Sequence, residues 1–204
     1  MVDGKDETLI IVPNIVPFTD KGISKMALNK KLTKKAKKIK LIAMDVDGVL
    51  TGGEVIILES GEEIKIWNVK DRFAFHYARK GLPSIKYAWI TGRKSNSVET
   101  CAKEIGIDYL YQNCMDKLDA VKEIVLELGL KLDEVAYLGD DIVDIPVLKN
   151  VGLGVCPSDS SSDVRKSSAL VSEFPGGKGV FRHVAEIVLK SQNAWKKATC
   201  DYIK

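Results

Sequence analysis

The sequence predicts an α/β fold: a doubly wound parallel sheet with helices on both faces. Short apolar runs rich in Val, Ile and aromatic residues alternate with segments of helical period along most of the chain. Strands that alternate with helices build parallel sheets through right-handed crossovers. No internal repeat interrupts the order, and 204 residues with 45% apolar content suit one such domain with a full core.

Residues 1–22 read as an N-terminal arm, poorly ordered or lying on a neighbouring subunit, because the apolar stretch 9–16 is broken up by Pro13 and Pro17. The domain spans 23–192, and 193–204 are a C-terminal tail. Residues 24–38 predict a short basic helix leading into a first strand over 41–44. Next, 54–58 and 63–67 flank a Gly-containing turn and predict a β-hairpin over 54–67. Its Val, Ile and Trp content is high for a two-stranded ribbon, which is marginal alone. Burial in another subunit and packing on the parent domain both answer that need.

A helix follows over 71–80, with Asp71 near its start and Gly81 past its end. The segment 86–90 is a second buried strand, 95–104 a helix stopped by Gly106, and 108–111 a third strand. Residues 117–128 form an amphipathic helix, with Leu118, Val121, Ile124, Val125 and Leu128 on one face. A strand over 134–138, a helix over 142–150 with Pro146 in its first turns, a strand over 153–156 and a closing helix over 180–192 complete the pattern.

Net charge is 31 − 28 = +3, but residues 1–40 hold ten Lys and four acidic residues, so that stretch carries +6 and the remainder −3. The basic run 30–38 reads as the solvated face of a short helix; no aromatic residues are interleaved, which argues against a nucleic-acid partner. Cys101, Cys114, Cys156 and Cys200 show neither a C-x-x-C pair nor metal-site spacing, and read as small hydrophobes in a reducing cytosol. No run approaches the ~18 apolar residues of a membrane span. The N-terminus lacks a signal peptide's basic start and long apolar centre, so the expected location is cytoplasmic, with no membrane partner.

Chemistry gathers at the strand ends. The first strand runs into Asp45-Val-Asp47-Gly48. If the extended geometry persists past the strand, Asp45 and Asp47 face one point, where they repel unless a cation, a proton or a reaction keeps them. The second strand ends in Thr91-Gly92-Arg93, a plausible phosphate cradle or an ordinary capping turn. Lys117 opens a helix, where a cation opposes the dipole unless ammonium and helix terminus hold one anion together. The strand before Gly139 ends in Asp140 and Asp141, with Asp144 following, an oxygen-rich cluster of the kind Mg²⁺ prefers. In a parallel sheet these carboxyl ends lie on one edge.

In order, Asp45-Val-Asp47, Thr91, Lys117 and Gly139-Asp-Asp-x-x-Asp144 resemble the four motifs of the haloacid dehalogenase-like (HAD) phosphatases. The resemblance implies a Rossmann-like fold, Asp45 as nucleophile, Asp47 as general acid/base, Thr91, Gly92 and Lys117 on the phosphate, and Mg²⁺ on Asp45, the backbone carbonyl of Asp47 and Asp140. Asp141 and Asp144 would support the site. The insertions are short, so the enzyme looks capless. The hairpin, Asn68-Val-Lys-Asp71, the Thr91 motif and Gly176-Gly-Lys-Gly-Val-Phe-Arg182 resemble the branch acting on 3-deoxy-D-manno-octulosonate (KDO) 8-phosphate. That implies a homotetramer acting on a small acidic sugar phosphate, with Lys70, Arg72, Arg93 and Lys178 as substrate-binding candidates. Nonulosonate 9-phosphate phosphatases share most of these motifs, and a catalytically silent oligomerisation domain shares the fold. Gly52 and Arg72 depart from the pattern, where the branch usually has Asp and Gly.

Overall fold

The computed structural model describes residues 30–203; the arm 1–22 and the first residues of the expected basic helix lie outside them. Helix α1 (Lys30–Ala36) precedes β1 (Leu41–Met44). The hairpin strands are β2 (Ile56–Ile57) and β3 (Glu63–Ile64). Then come α2 (Val69–Gly81), β4 (Lys86–Ile90), α3 (Asn96–Ile105), β5 (Tyr109–Tyr111), α4 (Lys117–Glu127), β6 (Val135–Leu138), α5 (Ile145–Asn150) and β7 (Leu153–Cys156). The order closes with α6 (Ser162–Ser167), β8 (Leu170–Val171), α7 (Val180–Ser191) and α8 (Trp195–Thr199).

The predicted architecture is present. Six parallel strands run β5-β4-β1-β6-β7-β8, and β2-β3 form a separate antiparallel pair. All four residues of β1 are buried because both faces are covered. Ile42 and Met44 join the core built with α2, α7 and α8, while Leu41 and Ala43 join the core under α4 and α5. The order of winding reverses at β1, which pairs with β4 on one side and β6 on the other. The crevice at such a reversal is where open α/β sheets bind ligands.

Several local expectations change. The hairpin ladder spans two residues per strand, not five; among the described residues no third strand supports it. Gly81 ends α2 instead of following it: a side chain there would strike Leu189 of α7 and Ala198 of α8, so glycine allows the three helices to approach. The segment 142–150 is split into a 3₁₀ turn (Ile142–Asp144) and α5, with Pro146 in the first turn of α5. Residues 193–204, read as a tail, carry α8, whose Trp195 ring meets Tyr77 of α2 edge-on and whose Ala198 is fully buried.

Candidate active site

The tips of β4, β1 and β6 are adjacent, and each delivers a polar residue. β1 ends at Met44 and the chain turns at once, with the Leu50 N–H donating to Val46 O. The extended geometry that would aim Asp45 and Asp47 at one point therefore stops at the strand, and the two carboxylates take different partners. Asp45 Oδ2 accepts from Lys117 Nζ at 2.6 Å and its Oδ1 from the Val46 N–H at 2.6 Å. Asp47 Oδ1 accepts from Lys65 Nζ and, at 3.4 Å, from Thr51 Oγ1.

Lys117 reaches this centre from the first residue of α4, whose N-cap is Asp116. Its ammonium also donates to Asp144 Oδ1 at 2.9 Å. Asp144 is fully buried and accepts further from Tyr137 Oη at 2.6 Å and from the N–H groups of Asp140 and Asp141 at 3.0 and 3.2 Å. With its lone pairs so committed, Asp144 orients the loop and Lys117. Asp141 is exposed and its Oδ1 accepts from the Ile142 N–H.

Asp140 differs. Its Oδ1 is buried without a hydrogen-bond partner. Gly48, at φ +83, lies against this carboxylate, and a side chain at 48 would run into it. Burial, then the neighbouring Asp45 and Asp144 charges, push Asp140 up to about 8. Burial likewise raises Asp45 to about 6, against the pull of Lys117. Burial works against the Lys117 charge, but Asp45 and Asp144 outweigh it and hold the ammonium above its ordinary range. Carboxylate oxygens of Asp45, Asp140 and Asp144 lie within 4.8 Å of one another. Three acidic groups share one ammonium, and the Asp140 oxygen without a partner faces a glycine-floored gap, which fits a hard cation.

Thr91 is buried at the tip of β4, its Oγ1 accepting from the Arg93 N–H at 3.2 Å. Gly92 backs onto the exposed Met115 side chain, which would have to move aside for a side chain at 92. Arg93 pairs with Glu63 of the hairpin, and Arg72 with Glu104 of α3 at 2.7 Å. Lys70 and Lys178 are exposed, the latter in a loop whose Gly177 N–H donates to Val49 O. A cavity of about 910 Å³ opens between hairpin and α3, bounded by Trp67, Arg72, Glu63, Arg93 and Ser95. Asp45 and Asp140 do not line it.

Two motifs distant in sequence are stitched together at the rim. Asn68 Nδ2 donates to Gly177 O at 2.9 Å, and Asp71 Oδ1 caps α7 by accepting from the Arg182 N–H at 2.7 Å. Sequence reasoning missed two contributors. Tyr137 left no signal inside its apolar strand. Lys65 left one: with period two, Glu63, Lys65 and Trp67 share a face opposite Ile64 and Ile66.

Fold and site together define a haloacid dehalogenase-like hydrolase, and the chain belongs to that family. Residues 94–183 match the family model described as haloacid dehalogenase-like hydrolase. The relatives are phosphatases, as this chain is. The 3-deoxy-D-manno-octulosonate 8-phosphate phosphatase of Escherichia coli K12 is 37% identical over 80% of this chain and 86% of its own. A phosphatase of the same name from Moraxella catarrhalis, solved with magnesium ion, phosphate ion and KDO, superposes with a TM-score of 0.81 at 36% identity, covering 84% of this chain and 97% of its own. A probable YrbI family phosphatase from Pseudomonas syringae gives 0.82 at 37% identity over 86% and 99%.

Proposed function

We propose that this chain is a Mg²⁺-dependent phosphatase that hydrolyses 3-deoxy-D-manno-octulosonate 8-phosphate through an aspartyl-phosphate on Asp45. The observation that carries the reading is Asp45 at the tip of the central strand, held by Lys117 beside the unpartnered carboxylate of Asp140. The named relatives support the sugar.

Asp45 attacks phosphorus as the P–O ester bond breaks, and Asp47 gives its proton to the departing alkoxide. Water then attacks the aspartyl-phosphate, Asp47 takes the water's proton, and inorganic phosphate leaves. Lys117, Thr91 and the Gly92 amide hold the phosphoryl oxygens. Asp45, the Asp47 carbonyl and Asp140 would hold Mg²⁺, while Asp141 and Asp144 shape that loop; bound there, the ion would neutralise charge on the phosphoryl group. Lys70, Arg72, Arg93 and Lys178 are the candidates for binding the acidic sugar. The assembly is a homotetramer built on the exposed hairpins. The compartment is the cytoplasm, in keeping with four free cysteines. Among the described residues no helix is long and apolar enough to cross a membrane.

The test is phosphate release from a panel of sugar phosphates, with and without Mg²⁺. KDO 8-phosphate should show the highest kcat/KM, and only with the metal. Preference for a nonulosonate 9-phosphate would move the substrate assignment; no release from any ester would leave a silent domain of this fold.

A further inference from the structure

The hairpin is inside out. Its apolar side chains are exposed, Ile57 by 64% and Ile66 by 63%, yet Lys65 is 7% exposed. A lysine is almost never fully buried unless paired. The Lys65 side chain is completely covered, and its ammonium meets Asp47 Oδ1 and lies 2.6 Å from Glu63 Oε1, the latter an ion pair without hydrogen-bond geometry. Glu63 in turn holds Arg93, two residues beyond Thr91. The hairpin's root is fixed by Trp67, stacked on buried Trp89 of β4 at 5.4 Å. One run of alternating charge, Asp47–Lys65–Glu63–Arg93, thus joins the first motif to the second through the hairpin. Among the described residues Asp47 makes no other ion pair.

We propose that Lys65 is the positioning residue for Asp47: it fixes the carboxyl group in the place from which it delivers a proton to the leaving oxygen. This rests on the proposed role of Asp47. It assigns the hairpin a part in the chemistry beyond any part in assembly. The ammonium favours the ionised carboxylate, so what Lys65 supplies is position: Asp47 stands in a turn, with only the weak Thr51 contact besides. Leaving the group free among rotamers would lower the fraction of encounters with correct geometry.

The test compares two esters through kcat/KM, which reports the steps up to leaving-group departure. An alkyl phosphate such as KDO 8-phosphate needs the proton; p-nitrophenyl phosphate departs without it. Lys65→Met should lower kcat/KM for the alkyl ester about 10²-fold, the low end of what a general acid supplies, and for the aryl ester less than about threefold. Lys65→Arg should recover much of the loss. In an Asp47→Asn background, Lys65→Met should have no further effect on the alkyl ester. Equal losses on both esters, or a full additional loss in the Asp47→Asn background, would overturn the positioning role in favour of a structural or substrate-contact one. Wild-type rates in Lys65→Met would overturn it outright while leaving the phosphatase reading intact. A wild-type enzyme inert towards both esters would instead remove the reading on which it rests.

Discussion

Lys117 Nζ sits 2.6 Å from Asp45 Oδ2, a contact between residues 72 apart in sequence. The pair makes Asp45 addressable by a conservative change. Asp45→Asn keeps the shape and one acceptor oxygen, enough for Lys117 or the Val46 N–H but not both; Lys117 retains Asp144, so the fold should survive. Turnover should fall by roughly 10⁴-fold or more, as when a nucleophile is removed. Steady-state phosphate release with a circular-dichroism control measures this, and an Asn variant retaining several per cent of the wild-type rate would contradict nucleophilic catalysis at Asp45.

Metal removal is the second expectation. Chelation should silence the enzyme and Mg²⁺ restore it. Ca²⁺ should bind yet support little turnover, because its larger and looser shell misplaces the reacting oxygens. Mg²⁺ should also stabilise the protein, by about 2.7 kcal/mol at a hundred times its Kd. Calorimetric melting of metal-free and loaded protein reads this without activity; identical Tm values would count against the site.

Asp71 supplies a pH signature away from the metal site. Its Oδ2 is buried without a partner, and burial pushes the group from 3.8 up to about 6, with the Arg182, Gly179 and Phe181 amides offsetting part of the rise. A raised carboxyl pKa means the folded state binds the proton more tightly. The contribution is therefore fully present below pH 3.8 and lost as pH rises through about 6. At about 1.4 kcal/mol per pKa unit this amounts to at most about 3 kcal/mol. Urea unfolding of wild type and Asp71→Asn at several pH values should show their difference changing across that window in favour of the Asn variant. A constant difference would refute the shift.

The fourth expectation concerns assembly. Ile57 and Ile66 are the most exposed apolar residues of the hairpin, and burying such a side chain is worth ~1.5–3 kcal/mol. Light scattering should give a tetramer for the wild type. Ile57→Asp with Ile66→Asp should give monomers with weakened selectivity among sugar phosphates. A wild-type monomer at tens of micromolar would exclude the tetramer.

Much of this site was legible because buried parallel strands read as apolar runs, and the residues just beyond each run must be polar at the sheet's edge. Asp45, Thr91 and Asp140 were found that way, and Lys117 by its odd place as a cation at the start of a helix. Their partnerships were not, since sequence does not say that the chain turns right after Met44 and sends Asp47 to a different cation. Lys65 hid within a run of β-branched residues, where alternation was visible but its inward face was not. The elements α6, β8 and α8 are too short for a periodic signal, and Gly81 looked like a helix stop because its close neighbours arrive more than a hundred residues later.

The order of strands has a consequence for how the protein is made. Among the described residues β1 is the first strand synthesised, yet its sheet partners begin 86 − 41 = 45 and 135 − 41 = 94 residues further on. The loop that lies against Gly48 and Thr51 comes later still, at Gly176 and Gly177. A ribosome adding residues from the N-terminus therefore exposes Asp45 long before anything can hold it. The nascent chain gains its reactive centre only when nearly all of the domain has emerged, and pairings of such long range close slowly. Stalled or prematurely ended chains would carry the nucleophile without the means to use it.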